Sequence, residues 1–304
     1  MKARTAAAAL LVAAIAVALG ASESAAGAPD GVAGDEIPAS AGAKLSSTPP
    51  EEPPPVCPPD MVEVEGDYCS VVEQYCVRPV DPKHLERDRC AEFAPTGRCL
   101  GAPAVHKHVC VDRYEWPNQA GVKPAVAVDW NTARDQCASA GKRLCSDSEW
   151  TLACEGQERL PYPYGYARNA SACNIDKPYI VPDDAKWANL RTRPAEIARL
   201  DQRDPSGARE SCVSPYGVHD MTGNVDEWVL NEGGKEKEKP YVSGLKGGYW
   251  GPVRDRCRPM TTDHNQWHTG YQIGFRCCRD PAQPGTSGQL DWGPAQAPVP
   301  APPS

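Results

Sequence analysis

The sequence predicts an α+β fold of short helices and strands, joined by long irregular loops and held together by disulfides. Three observations carry this reading. The 304 residues include 14 cysteines, an even number that suits an oxidised framework. They also include 32 prolines and 26 glycines, too many for a helical bundle. Start and stop signals bound only two short helices. The aromatic usage sets a further condition. With two phenylalanines against eight tryptophans and eleven tyrosines, the core must use amphipathic rings whose polar tips need partners.

The N-terminus reads as an export signal. Lys2 and Arg4 precede an apolar stretch from Ala6 to Leu19 that is too short to span a membrane comfortably. Small residues up to Ala28 offer cleavage after Ala26 or Ala28, so residues 1–28 are expected to be a signal peptide. No cysteine lies there to anchor a lipid. A secreted or periplasmic, cell-envelope location follows, with no transmembrane segment after signal removal. The net charge of −8 argues against a nucleic-acid partner.

Four further pieces follow. Residues 29–56 are a Pro/Ala-rich linker expected to be disordered. Residues 57–101 form a cysteine-rich N-terminal extension with Cys57, Cys69, Cys76, Cys90 and Cys99. Its spacing contains no Cys-x-x-Cys, which speaks against a zinc ribbon. Residues 102–280 form the main domain, and 281–304 a second Pro-rich tail expected to be disordered.

Both helices lie in the main domain. In "VDWNTARDQCASAGKRL", Asp129 is a suitable N-cap and Gly141 a stop. Ala133, Cys137 and Ala140 share one face. In "CSDSEWTLACEG", Ser146 and Glu149 make a capping box, so the helix runs from Asp147 to about Glu155 and stops at Gly156.

An ordered set of segments then carries a resemblance. These are "CVDRYEWPN", "PAVAVDWNTARDQCASAGKRLCSDSEWTLACEG", "YPYG", "ACNI", "SPYGVHDMTGNVDEWV", "KGGYW" and "GYQIGFRCCRD". Over about residues 103–280 the chain resembles the sulfatase-modifying-factor family, founded by the formylglycine-generating enzyme. The C-terminal domains of ergothioneine-pathway sulfoxide synthases share it. The resemblance implies an elaborated C-type-lectin-like fold with bound calcium. It implies disulfides Cys137–Cys277 and Cys154–Cys257; Cys173 and Cys212 bracket a loop and could also pair. Pairing of Cys110, Cys145 and Cys278 with the N-terminal five stays open, although eight is an even number.

The resemblance also implies a calcium site in "DMTGNVDEW". Asp220 and Glu227 would supply side-chain oxygens, and Gly223 and Val225 backbone carbonyls, all hard donors suited to Ca²⁺. The alternative is a turn with solvated acids. A second site is suggested by Asn174 and Ile175, with Asn189 completing it. Asp226 stands where the family often has an aromatic.

The chemistry departs from the family. Formylglycine-generating enzymes hold copper(I) with two cysteines shortly after a Gly-Gly-Ser turn, but the matching "GGYWGPVRDRCRPM" has none between Gly247 and Arg256. Copper or iron is therefore not expected as a cofactor by that route. Tyr249, Trp250, Arg254, His264, Trp267 and His268 are the cleft candidates, with Trp250 and Trp267 as aromatic walls. His264 and His268, four apart, would meet on a helix, but their context suggests a loop entering a strand. His106 and His108 alternate on what reads as a strand and face one side. No phosphate loop, nucleophile elbow or zinc-protease motif occurs. Two function classes remain. One is a calcium-stabilised binding module for a peptide, glycan or protein. The other is a metal-dependent oxidoreductase using an altered site, with non-heme iron or copper.

Overall fold

The computed structural model describes residues 55–282, apart from 85–88, 96 and 102. The expected signal peptide, almost all of the 29–56 linker and almost all of the 281–304 tail lie outside the described residues. The fold is α+β with little regular secondary structure.

The N-terminal part contributes β1 (Met61–Tyr68), β2 (Val72–Glu73), β3 (Cys76–Pro79), β4 (Cys90–Phe93) and β5 (Arg98–Cys99). There follow β6 (Val105–Asp112), α1 (Trp130–Ser139), β7 (Arg143–Leu144), α2 (Asp147–Glu155), α3 (Asp184–Ala188) and α4 (Arg193–Leu200). The C-terminal part adds β8 (Asp226–Leu230), β9 (Ser243–Lys246), β10 (Met260–Thr261), β11 (Ile273–Phe275) and β12 (Cys277–Arg279). One sheet has the order β1-β6-β12-β7 and is antiparallel throughout. The other has the order β10-β9-β8-β11, with β11 parallel to β8. Two ribbons, β2-β5 and β3-β4, lie outside these sheets.

The cysteine-rich segment does not stand apart from the main domain. β1 pairs with β6 along its whole length, from Met61 opposite Asp112 to Tyr68 opposite Val105. The reason is visible in the alternation: Val62 and Val64 face inward with Val109 and Val111, while Glu63 and Glu65 face out. A boundary at 101/102 therefore cuts through one sheet.

Both helices begin where local chemistry places them. Asp129 accepts from the Thr132 amide at 2.7 Å. Ser146 and Glu149 close a reciprocal box. Gly156, at φ 64°, ends α2 in a conformation that a side chain would strain. α2 buries Trp150, Leu152 and Cys154 against β1 and β6, while α1 buries Trp130, Ala133 and Cys137 against Leu144, Trp228 and Phe275. α3 and α4 were not anticipated; Pro194 in the first turn of α4 is a compatible start.

All fourteen cysteines are bonded. Cys137 pairs with Cys277, Cys154 with Cys257 and Cys173 with Cys212. Cys57 pairs with Cys110, Cys69 with Cys99, Cys76 with Cys90 and Cys145 with Cys278. The adjacent Cys277 and Cys278 point to opposite faces of β12, so one ties α1 and the other the β7–α2 corner.

Candidate functional site

The turn from Asp220 to Glu227 is packed against the 174–175 segment. The Asn224 amide donates to the Asn174 carbonyl at 2.9 Å, and Asn174 Nδ2 donates to Asn224 Oδ1 at 3.0 Å. Gly223, at φ 79°, sits so close to the Asn174 carbonyl that a Cβ would collide with it.

Three fully buried carboxylates gather here: Glu115, Asp220 and Glu227. Arg276, also buried, donates Nε and Nη2 to the two Glu227 oxygens, each at 2.7 Å. Trp150 Nε1 donates to Glu227 as well. Asp220 accepts from the Gly207 amide. Glu115 accepts from Ser206 and Asn224 through one oxygen, while its Oε1 has no partner. Burial first, and neighbouring carboxylates after it, raise the pKa of Glu115 well above the usual carboxylate range and that of Asp220 to about 6. One guanidinium thus faces three acids, and an unpartnered oxygen remains.

That surplus fits a hard divalent cation at Asp220, with Glu115 as an additional oxygen donor. The fit at Glu227 is narrower than expected, because its oxygens already serve Arg276 and Trp150. At the second expected site Asn174 is buried, and its Oδ1 has no partner. Asn189 does not join it. It is exposed at the end of α3, accepting from the Arg191 amide. The chain returns to Asn174 only after α4, through Gln202, whose carbonyl accepts from Asn174 Nδ2. Lys177 Nζ also donates to that carbonyl at 2.7 Å and to Asp204 at 3.1 Å, so a resident ammonium already stands beside this site.

The aromatic candidates separate. Tyr249 and Trp250 are buried, packed edge to face at 5.5 Å, and both contact Tyr271. With Pro178, Tyr179 and Leu200 these rings line a narrow depression of about 170 Å³. Burial holds the Tyr249 hydroxyl well above its usual pKa, and the neighbouring Tyr271 raises it further. Trp267 is no wall of this depression. It is 74% exposed. A tight turn, in which Asn265 Oδ1 accepts from the Trp267 amide, throws the ring outward. Tyr271 and Tyr179 supply the walls instead.

Asp226 is buried where the depression meets the "GGYW" turn. It faces Arg254 at 3.7 Å and is pushed up in pKa chiefly by burial. Arg254 donates to the Leu245 carbonyl. The His264 and His268 rings lie face to face, centroids 3.9 Å apart and 9° from parallel. Their stacking is that of neighbours in a loop. Among the described residues no third ligand group converges with them. Burial lowers the His268 pKa, and the His264 charge lowers it further. In the stretch where relatives carry redox cysteines, Asp255 is buried and ion-paired to Arg168, which also grips Asp176.

Glu115 and Arg276 were not singled out in the sequence. Each lies inside a quoted motif, as a charge among residues otherwise suited to a core, and that was the available sign.

Residues 70–281 match the model of the sulfatase-modifying factor enzyme 1-like domain. The chain is 28% identical to the inactive C-alpha-formylglycine-generating enzyme 2 of Bos taurus, over 53% of this chain and 52% of that protein. It is 29% identical to the formylglycine-generating enzyme of Thermomonospora curvata, over 52% of this chain and 51% of that one. The chain therefore spans about half the length of these relatives. Among solved structures, PvdO from Pseudomonas aeruginosa is similar with a TM-score of 0.44 and 19% identity, covering 72% of this chain and 94% of that one.

Proposed function

The chain belongs to the sulfatase-modifying factor enzyme 1-like family, and from that premise we propose that it is an exported, non-catalytic binding module. It would present the depression at Tyr249, Trp250 and Tyr271 to a peptide, glycan or protein, without copper-dependent formylglycine chemistry. One observation carries this: all fourteen cysteines are bonded in seven disulfides, so no thiol pair is left to hold a soft metal. The ion pair of Arg168 with Asp255 fills the stretch after the glycine turn with hard, charged groups instead.

Calcium is part of the proposal. Asp220 and Glu115 would hold it with carbonyls of the Gly223 turn, and it would contribute charge balance and rigidity.

Alkylation of the denatured, unreduced protein, followed by intact mass measurement, tests the chemical half. No adduct is expected before reduction; two adducts would overturn it. A peptide and glycan array probed with the full chain tests the binding half. Ligands retained by the wild type and lost on Tyr271→Ala support it, and retention indifferent to that change contradicts it.

A further inference from the structure

The outer face of the β1–β6 pair carries a second group of ligand-type side chains, remote in character from the acids around Arg276. β1 points Glu63, Glu65 and Asp67 outward, and β6 points His106 and His108 outward. The antiparallel register sets Glu65 opposite His108 and Asp67 opposite His106. Facing side chains on neighbouring strands lie within reach of one another. His108 Nε2 is 2.8 Å from Glu63 Oε1. One ligand atom each from Glu63, Glu65 and His108 lies within 4.8 Å of the other two. His106 stands beside them, its Nε2 3.3 Å from Glu65 and its Nδ1 3.3 Å from Asp67.

We propose that Glu63, Glu65 and His108 form a surface site for a borderline divalent transition metal such as Zn²⁺, with His106 positioning the Glu65 carboxylate. One imidazole and two carboxylates are a zinc-type donor set, and the nitrogen donor sets the site apart from a calcium site. Glu63, Glu65 and Asp67 place three carboxylates on this face, and their combined charge draws in a dication. Three atoms so spaced share a point less than about 3 Å from each, and a small adjustment of exposed side chains brings them to roughly 2.0–2.2 Å from one ion. The frame beneath does not have to move. Val64 and Val109 are fully buried on the opposite face, and the Cys57–Cys110 bridge fixes β6 two residues beyond His108. A donor set on two paired strands is held more firmly than one on a loop. The bound ion would staple the edge strand β1, supplied by the cysteine-rich segment, to the main domain. Its fourth position would stay open to water or to a donor from a partner.

Calorimetric titration of the chelator-stripped full chain with ZnCl₂ tests this, with CaCl₂ titrated separately. One Zn²⁺ per chain is expected at this site, insensitive to prior saturation with calcium. His108→Ala should weaken binding by more than about 100-fold, beyond the usual effect of losing an outer partner. His106→Ala should weaken it less, and His106→Gln, which still donates, should restore part of the loss. The double change His264→Ala/His268→Ala should leave it unaltered. All these side chains are at least partly exposed, so melting of the stripped variants should match that of the stripped wild type. Absence of saturable Zn²⁺ binding, or binding unaffected by His108→Ala, would overturn the proposal.

Discussion

Replacing Arg276 by methionine probes the packing of the acidic centre. The guanidinium is fully buried and makes two bonds to Glu227, one to the Asp112 carbonyl and one to the His219 carbonyl. Methionine fills much of the volume but donates nothing. Glu227 would then be buried with Trp150 as its remaining donor and with Glu115 and Asp220 nearby. Breaking one side of a buried pair costs about 3–5 kcal/mol, because a charge is left without its partner. For a domain of this size each kcal/mol lowers the melting temperature by roughly 2–4 °C, so a drop of roughly 6–20 °C is expected. The double change Arg276→Met/Glu227→Gln should cost less than the two single changes added together, by about 0.5–3 kcal/mol. Tryptophan fluorescence during urea unfolding reads both, since Trp150 and Trp228 are buried beside the site. A loss below about 1 kcal/mol for Arg276→Met, or strict additivity, would refute the reasoning.

Other outcomes follow from the same packing. Lys246 is buried, and burial lowers its pKa to about 7, whereas in the unfolded chain it titrates near its ordinary value. Between those two pH values the unfolded state holds the extra proton, so stability should rise with pH by up to about 1.4 kcal/mol per unit. Lys246→Met should flatten that slope between pH 7 and 9, and equal slopes would count against the burial argument. Exhaustive chelation should lower the melting temperature, and calcium at 100-fold over its dissociation constant should restore about 2.7 kcal/mol. Asp220→Asn should abolish that response; a response retained in the variant would move the ion elsewhere. Replacing both Cys137 and Cys277 by alanine should cost about 2–5 kcal/mol, read by the same urea titration. Trp267→Ala, by contrast, should change stability by less than about 0.5 kcal/mol, because the ring stands in solvent.

Much of the fold was legible where local chemistry decides structure. Asp129, Ser146 and Glu149 cap their helices by hydrogen bonds within three residues, so the signal is complete in the sequence. The alternation of His106 and His108 likewise reported a strand face. Long-range pairing was not legible from the residues. The bridges Cys137–Cys277 and Cys154–Cys257 close separations of 140 and 103 residues, and the family resemblance alone suggested them. The union of β1 with β6 depends on partners some 40 residues away, which is why a separate extension was expected. In the site, Asp220 and Asn174 were legible as motif positions. Glu115 and Arg276 were not, since their roles exist only once four segments converge on one buried point. Asn189 failed because the loop between Ile175 and Gln202 contains two helices whose length the motif does not specify. Trp267 stands in solvent, because the loop that carries it packs no neighbour over the ring, and a tryptophan in a loop carries no local signal for that.

On the function proposed, a disulfide-bonded frame persists here without the thiol chemistry of its relatives. The most direct measurement incubates the purified full chain with copper(I), oxygen and a cysteine-containing sulfatase-type peptide, and follows the peptide by mass spectrometry. The account predicts that the cysteine stays unconverted to aldehyde over many hours. Steady formation of a formylglycine-containing product would contradict it.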